Sequence, residues 1–230
     1  MSTHGATIAL DATTELHRRV RAVKPPRAVL DRDRERRLTD RQREVLDQLG
    51  HLFDHGFAHL TMAEIAAHTT CSLRTLYGLA PSRDELVLVV VDRNLWRVGR
   101  SAMEALAPDM NPLDALQSYL KAANEAVNGL SEPFARDLAT MPAALRLGDV
   151  HADYLIAVTH CLLDLAHERG DIRPVDTGAA ARVLANIGRD LSRPEVMPTL
   201  QTSPRQASEA LLEIFLRGMR AQPTNEAPHD

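Results

Sequence analysis

Residues 60–86, from Leu60 to Leu86, read LTMAEIAAHTTCSLRTLYGLAPSRDEL, and the rest of the chain is organised around this stretch. Thr61 followed by Glu64 has the spacing of a capping box, in which a hydroxyl and a carboxylate satisfy two amides left unpaired where a helix begins. A short helix is predicted from there, with Met62, Ile65 and Ala66 as its apolar face. Thr69-Thr70-Cys71-Ser72 contains no strong helix former, and its hydroxyls compete for backbone amides, so the segment reads as a turn. Ser72 is placed to cap a second short helix through Tyr77. Two short helices joined by a tight turn make a helix-turn-helix, whose second helix fits a DNA major groove about 12 Å wide.

The flanking sequence extends the pattern. Thr39 and Gln42 form another capping box, Val45, Leu49, Leu52 and Phe53 recur at helical spacing, and Gly56 ends that helix. Ser82 and Glu85 make a further box opening a long helix from about Arg83 to Leu106, with Leu86, Val89, Val90, Leu95 and Met103 on its apolar faces. The order Leu52-Phe53-Asp54-His55-Gly56-Phe57, Thr61, Ile65-Ala66, Ser72, Thr75-Leu76-Tyr77 and Ser82-Arg83-Asp84-Glu85-Leu86 covers Asp40 to about Val90. It resembles the DNA-binding domain of the TetR (tetracycline-repressor-like) family of bacterial transcriptional regulators. Three positions depart from the family pattern: the usual turn glycine is Thr70, the usual aromatic after the recognition helix is Ala80, and the usual lysine is Arg83. Thr70 matters most, because a β-branched residue resists positive φ.

Composition agrees with an all-α protein. Of 230 residues 44% are hydrophobic, yet only eight are aromatic (Phe 4, Tyr 3, Trp 1), so the core must be mainly Leu, Ala and Val. No apolar run approaches the length of a membrane span, and the N-terminus lacks a secretory signal pattern, so a cytoplasmic protein is expected. Cys71 and Cys161 lie far apart, which argues against a disulfide framework. The net charge of −4 is unevenly spread: residues 1–37 hold nine Lys/Arg against five Asp/Glu, whereas residues 38–98 hold six against eight. Attraction to phosphates is therefore assigned to the N-terminal segment and a few placed side chains.

The first thirty residues, with Pro25-Pro26 and scattered arginines, read as a mobile basic arm, either laid along DNA or merely solubilising. Asp31 to Arg37 alternates in sign and reads as a solvated helical lead-in. Beyond Pro108, Asn111-Pro112 opens a helix that ends before Gly129. A shorter helix near Pro133 to Leu147 is expected to be interrupted at Met141-Pro142. Tyr154, Val158, Cys161 and Leu165 mark another, which stops at Gly170. Ala180 to Leu191 and the segment after the Ser203-Pro204-Arg205-Gln206 box supply the last two. His160, Asp164 and His167 share a helix face, a spacing that could bind a divalent metal, but they read first as an exposed polar face.

The resemblance implies an N-terminal three-helix helix-turn-helix domain joined by a long helix to a C-terminal helical ligand-binding and dimerisation domain. The corresponding boundaries are a disordered basic arm at 1–37, the DNA-binding domain at 38–86, the ligand-binding and dimerisation domain at 87–220, and a disordered tail at 221–230. It further implies a homodimer reading a pseudo-palindromic double-stranded DNA operator, a repressor released by a small apolar effector through the long helix, and no cofactor or metal. Carried onto this sequence, Ser72, Leu73, Arg74 and Thr75 approach bases, while Thr61, Tyr77 and Arg83 contact phosphates. Candidate pocket residues are Trp96, Met103, Tyr119, Phe134, Met141 and Tyr154. The dimer contact falls on the last two long helices at Val183, Ile187, Leu211, Ile214, Phe215 and Gly218. Two other readings compete: a regulator that keeps the fold but acts through protein contacts, and an enzyme. The sequence offers the latter no phosphate loop, nucleophile elbow or closed metal-ligand set.

Overall fold

The capping residues act where the sequence places them. Thr39, Thr61 and Ser203 each accept a hydrogen bond from the backbone three residues on, and Gln42, Glu64 and Gln206 reach back to complete the boxes. Ser82 Oγ accepts from the Glu85 N–H (3.2 Å), and Asn111 Oδ1 from the Asp114 N–H (2.9 Å). The structure, a computed structural model, describes residues 15–107, 110–127, 131–193 and 195–221. Their helices are α1 (residues 15–22), α2 (Arg32–Arg36), α3 (Asp40–Phe53), α4 (Met62–His68), α5 (Leu73–Leu79), α6 (Arg83–Glu104), α7 (Pro112–Val127), α8 (Glu132–Ala139), α9 (Pro142–Glu168), α10 (Thr177–Leu191) and α11 (Pro204–Met219). A 3-10 turn spans Met197–Thr199, and a single antiparallel bridge joins Ile172 to Arg220 among the described residues. The fold is all-α. No helix among the described residues is long and apolar enough to cross a membrane.

Two compact units divide the chain. One comprises residues 25–100 and 126–153; the other comprises residues 1–24, 101–125 and 154–230. In the first, Leu49, Phe53, Ile65, Leu76, Leu79 and Leu86 bury completely in one core that draws on α3, α4, α5 and α6. Phe134 of α8 enters the same core, its ring edge-on to Phe57 with centroids 5.6 Å apart. Asp137, one turn further along α8, accepts hydrogen bonds from the Phe57 and Ala58 amides at 2.6 and 2.8 Å. The chain leaves α3 there through Gly56, whose φ of +92° suits a residue without Cβ. In the second unit, α10 and α11 pack together; Ala181, Leu184, Ala185 and Gly188 are buried on the first, Gly188 facing Asn124 of α7, and Ser208, Leu212, Leu216 and Met219 on the second.

Two sequence expectations change. Within the arm expected over residues 1–37, the described residues form two helices, α1 and α2. Leu16 and Val20, four apart on α1, are buried, Leu30 and Leu38 join the first core, and the Val29 N–H donates to Asp92 (2.8 Å). Asp92 is itself buried and meets His151 Nε2 at 2.9 Å, so a short charged segment gains order from partners far away in sequence. The interruption at Met141-Pro142 is a boundary: Pro142 occupies the first position of α9, where no amide bond is lost, and α9 continues through Glu168 without a break. Gly170, with φ +74°, ends it. The predicted stop at Gly129, the residue Pro108 and the tail beyond Ala221 lie outside the described residues.

Removing the Asp137 carboxylate leaves two backbone amides without their acceptor. Asp137→Ala is expected to lower unfolding stability by about 1.5–3 kcal/mol, the range for hydrogen bonds to a charged group. Urea denaturation against the parent chain measures it, and an unchanged midpoint would show that these bonds contribute nothing.

Candidate nucleic-acid interface

Helix α5 is only seven residues long, so its stability comes from its cap and from what it buries. Ser72 Oγ accepts from the Thr75 N–H (3.1 Å) and pairs with Thr75 Oγ1 (2.9 Å). Leu76 and Leu79 are fully buried, and Ala80 follows them into the core. The opposite face is consequently open. Leu73 is 43% exposed and Tyr77 52%, with Ser72 and Arg74 exposed between them and Thr75 partly covered. Among the described residues no hydrogen bond or ion pair engages the Arg74 guanidinium. The four residues expected at bases thus share one end of α5, at the surface.

The three residues expected at phosphates differ in what already occupies them. Thr61 is exposed and caps α4, its hydroxyl 2.7 Å from Glu64 Oε2. The Thr61 amide in turn holds the Glu64 carboxyl below its ordinary range. Tyr77 is open to solvent. Arg83 is committed: Nη1 donates to the carbonyls of Ala58 (2.9 Å) and Leu60 (3.4 Å), while Nε and Nη2 both reach Asp84 Oδ1. The position expected to hold phosphate therefore fastens the α3–α4 connection to the start of α6.

The turn between α4 and α5 carries a feature that helical spacing does not announce. Thr70 has φ +49°, and it is the one non-glycine residue with positive φ among those described. The Thr70 N–H bonds to the Ala67 carbonyl (3.2 Å) and the Cys71 N–H to that of Ala66 (2.9 Å), the bond pair of a Schellman motif. Threonine thus adopts the glycine conformation. Arg41, in the first turn of α3, donates through Nη2 to the carbonyls of Thr69 (3.0 Å) and Thr70 (2.9 Å).

With this geometry described, comparison with known proteins identifies the architecture. No protein-family model matches the chain, and no curated protein matches it. Among solved structures, a TetR transcription regulator from Haloarcula marismortui superposes with a TM-score of 0.63, covering 80% of this chain and 100% of that one at 18% identity. The chain has the TetR-family fold. A TetR-family regulator from Thermus thermophilus gives a TM-score of 0.55 at 19% identity, with 77% and 99% of the two chains covered. A tetR-family regulatory protein from Rhodococcus gives 0.56 at 20%, with 81% and 100% covered.

Within this TetR fold the six candidate pocket residues have different surroundings. Phe134 lies in the core of the first unit, and Met141 packs against that core. Trp96 of α6 stands edge-on to His151, with centroids 5.6 Å apart, and its Nε1 is buried without a hydrogen-bond acceptor among the described residues. Tyr119 is buried and Tyr154 half-buried; burial pushes both phenols above their ordinary range. Met103 is also half-buried. A cleft of about 570 Å³ in the second unit is lined by Arg173, Arg217, Gly218 and Arg220, of which Arg217 pairs with Glu213 and Arg220 with Asp114. His160 and Asp164 sit 3.4 Å apart, but Thr177 also bonds Asp164 (2.6 Å), and no group of three metal-ligating side chains forms among the described residues.

Thr70→Gly removes the β-branched residue from a conformation that glycine adopts freely. It is expected to raise stability by about 0.5–1 kcal/mol, the relief of backbone strain being partly offset by the greater entropy of an unfolded glycine. The urea midpoint should rise with the m-value unchanged; a fall would indicate that threonine is not strained there.

Proposed function

We propose that the chain is a homodimeric, sequence-specific DNA-binding transcriptional regulator, not an enzyme, that works in the cytoplasm as a repressor released by a small apolar ligand. The observation that carries this reading is the outer face of α5: Leu76 and Leu79 anchor it from below, and Ser72, Leu73 and the unengaged Arg74 stand at its exposed N-terminal end. An arginine there donates two hydrogen bonds to a guanine, and Leu73 supplies an apolar contact for a thymine methyl. Thr61 and Tyr77 are placed to hold phosphates. The TetR fold supports the same reading.

A second copy of the chain accounts for the exposed apolar surface of the other unit. Val183 on α10 and Leu211, Ile214 and Phe215 on α11 are all exposed, Ile214 by 65%, with Ile187 half-buried and Gly218 open. Two such helices from each of two copies would make a four-helix contact. Its twofold axis would set two α5 helices against successive major grooves, about 34–36 Å apart. The effector is proposed to act on that separation from a cavity in the second unit involving Met103, Tyr119 and Tyr154.

Mobility shifts on a duplex selected by the protein from a random-sequence pool test DNA reading. Arg74→Ala is expected to weaken that duplex by about 1–3 kcal/mol relative to a scrambled one. Equal loss on both would mean that Arg74 reads no base. Phe215→Glu places a charge on the proposed contact, and light scattering should report a shift from dimer to monomer. A parent chain that is monomeric at micromolar concentration would remove the dimer from the proposal.

A further inference from the structure

The turn that launches α5 is held in a conformation its own sequence resists, and the restraint comes from outside the helix-turn-helix. Thr70 occupies the left-handed region with the two backbone bonds of a Schellman motif. The same bond pair ends α9, where the Gly170 N–H meets the His167 carbonyl and the Asp171 N–H that of Ala166, and there a glycine at φ +74° carries it. Glycine populates that region freely; a β-branched residue does not. The direction in which the chain enters Ser72 and α5 follows from the φ of Thr70.

Arg41 grips this turn through one nitrogen. Its Nη2 lies 3.0 Å from the Thr69 carbonyl and 2.9 Å from that of Thr70. Successive carbonyls of extended backbone point to opposite sides, so one donor reaches both only while Thr70 stays out of the β region. The guanidinium is itself oriented, because Nη1 pairs with Glu44 Oε2 (2.6 Å) one turn along α3. The helix carrying it is fixed at its start by the Thr39–Gln42 box. We infer that Arg41 is a positioning residue for the recognition helix: it holds Thr70 in the left-handed region, sets the entry angle of α5, and so controls discrimination between DNA sequences without touching DNA. The inference rests on the DNA-reading function proposed above.

The test measures fluorescence anisotropy of the full chain on two duplexes, the one selected by the parent from a random pool and a scrambled duplex of equal length, over a series of KCl concentrations. Arg41→Ala is expected to cut the selected-to-scrambled affinity ratio about tenfold, comparable to losing a charged hydrogen bond, with the slope of log K against log [KCl] unchanged. Arg41→Lys, which can still donate to one carbonyl, should keep part of the ratio. Thr70→Gly added to Arg41→Ala should restore most of it, because glycine holds the turn without a clamp. If Arg41→Ala does not fold, the double variant decides: a parental ratio supports the inference and a lowered one overturns it. A slope shallower by about 0.9 with both duplexes weakened equally would make Arg41 a phosphate contact and overturn it. An unchanged ratio and slope would overturn it as well. A parent that selects no sequence at all would instead refute the regulator reading, and this inference with it.

Discussion

The burial of Leu76 and Leu79 is the constraint from which the rest of the first unit follows. Seven residues make too little helix to persist in water, so α5 exists because two leucines, three apart, enter a core shared with Phe53, Ile65 and Leu86. Each fully buried leucine contributes about 1.5–3 kcal/mol relative to exposure. Because 3.6 residues complete a turn, burying that stripe turns Arg74 and Tyr77 outward, while Leu73, on the flank of the stripe, is left exposed at the N-terminal end of the helix. The exposed face is a geometric consequence of the hydrophobic one. Phe134 and Asp137 of α8 reinforce the arrangement from a distant part of the sequence, one by filling the core beside Phe57 and the other by binding the amides that follow Gly56.

Arginines in this unit serve two purposes, and only their surroundings separate them. Arg41 and Arg83 donate to main-chain carbonyls, and Arg34 reaches the carbonyl of Leu79 at the C-terminal end of α5 (3.1 Å). A cation at the end of a helix is favoured by the partial negative charge of its last carbonyls. Arg74, at the opposite end, is left unengaged among the described residues. Within residues 38–98, where eight acidic residues outnumber six arginines, Arg41 and Arg83 are thus spent on the protein's own backbone.

The helix boundaries were largely legible in the chain because capping is local chemistry. Thr39 with Gln42, Thr61 with Glu64 and Ser203 with Gln206 are three residues apart, and nothing else in the protein is needed for them to find each other. The outward residues of α5 and the open apolar faces of α10 and α11 were legible for a related reason, since the helical period sorts buried from exposed positions. The segment before α3 was not. Leu16 and Val20 have helical spacing, but a stretch so short shows its order only through Asp92, His151 and the core that receives Leu30. The packing of Phe134 and Met141 was not legible for the same reason: an aromatic or thioether side chain at helical spacing does not reveal which core it joins.

The sequence by itself determined an all-helical chain, the position of the helix-turn-helix, and which end of α5 faces away from the protein, because caps and periodicity operate within a few residues. Only the tertiary structure decided that Thr70 adopts a left-handed conformation under two hydrogen bonds from Arg41, and that Arg83 turns to carbonyls of its own chain. It also decided that α8 belongs with the helices it follows by eighty residues or so. Those outcomes depend on where distant carbonyls, carboxylates and apolar surfaces come to rest, which no spacing within a helix records.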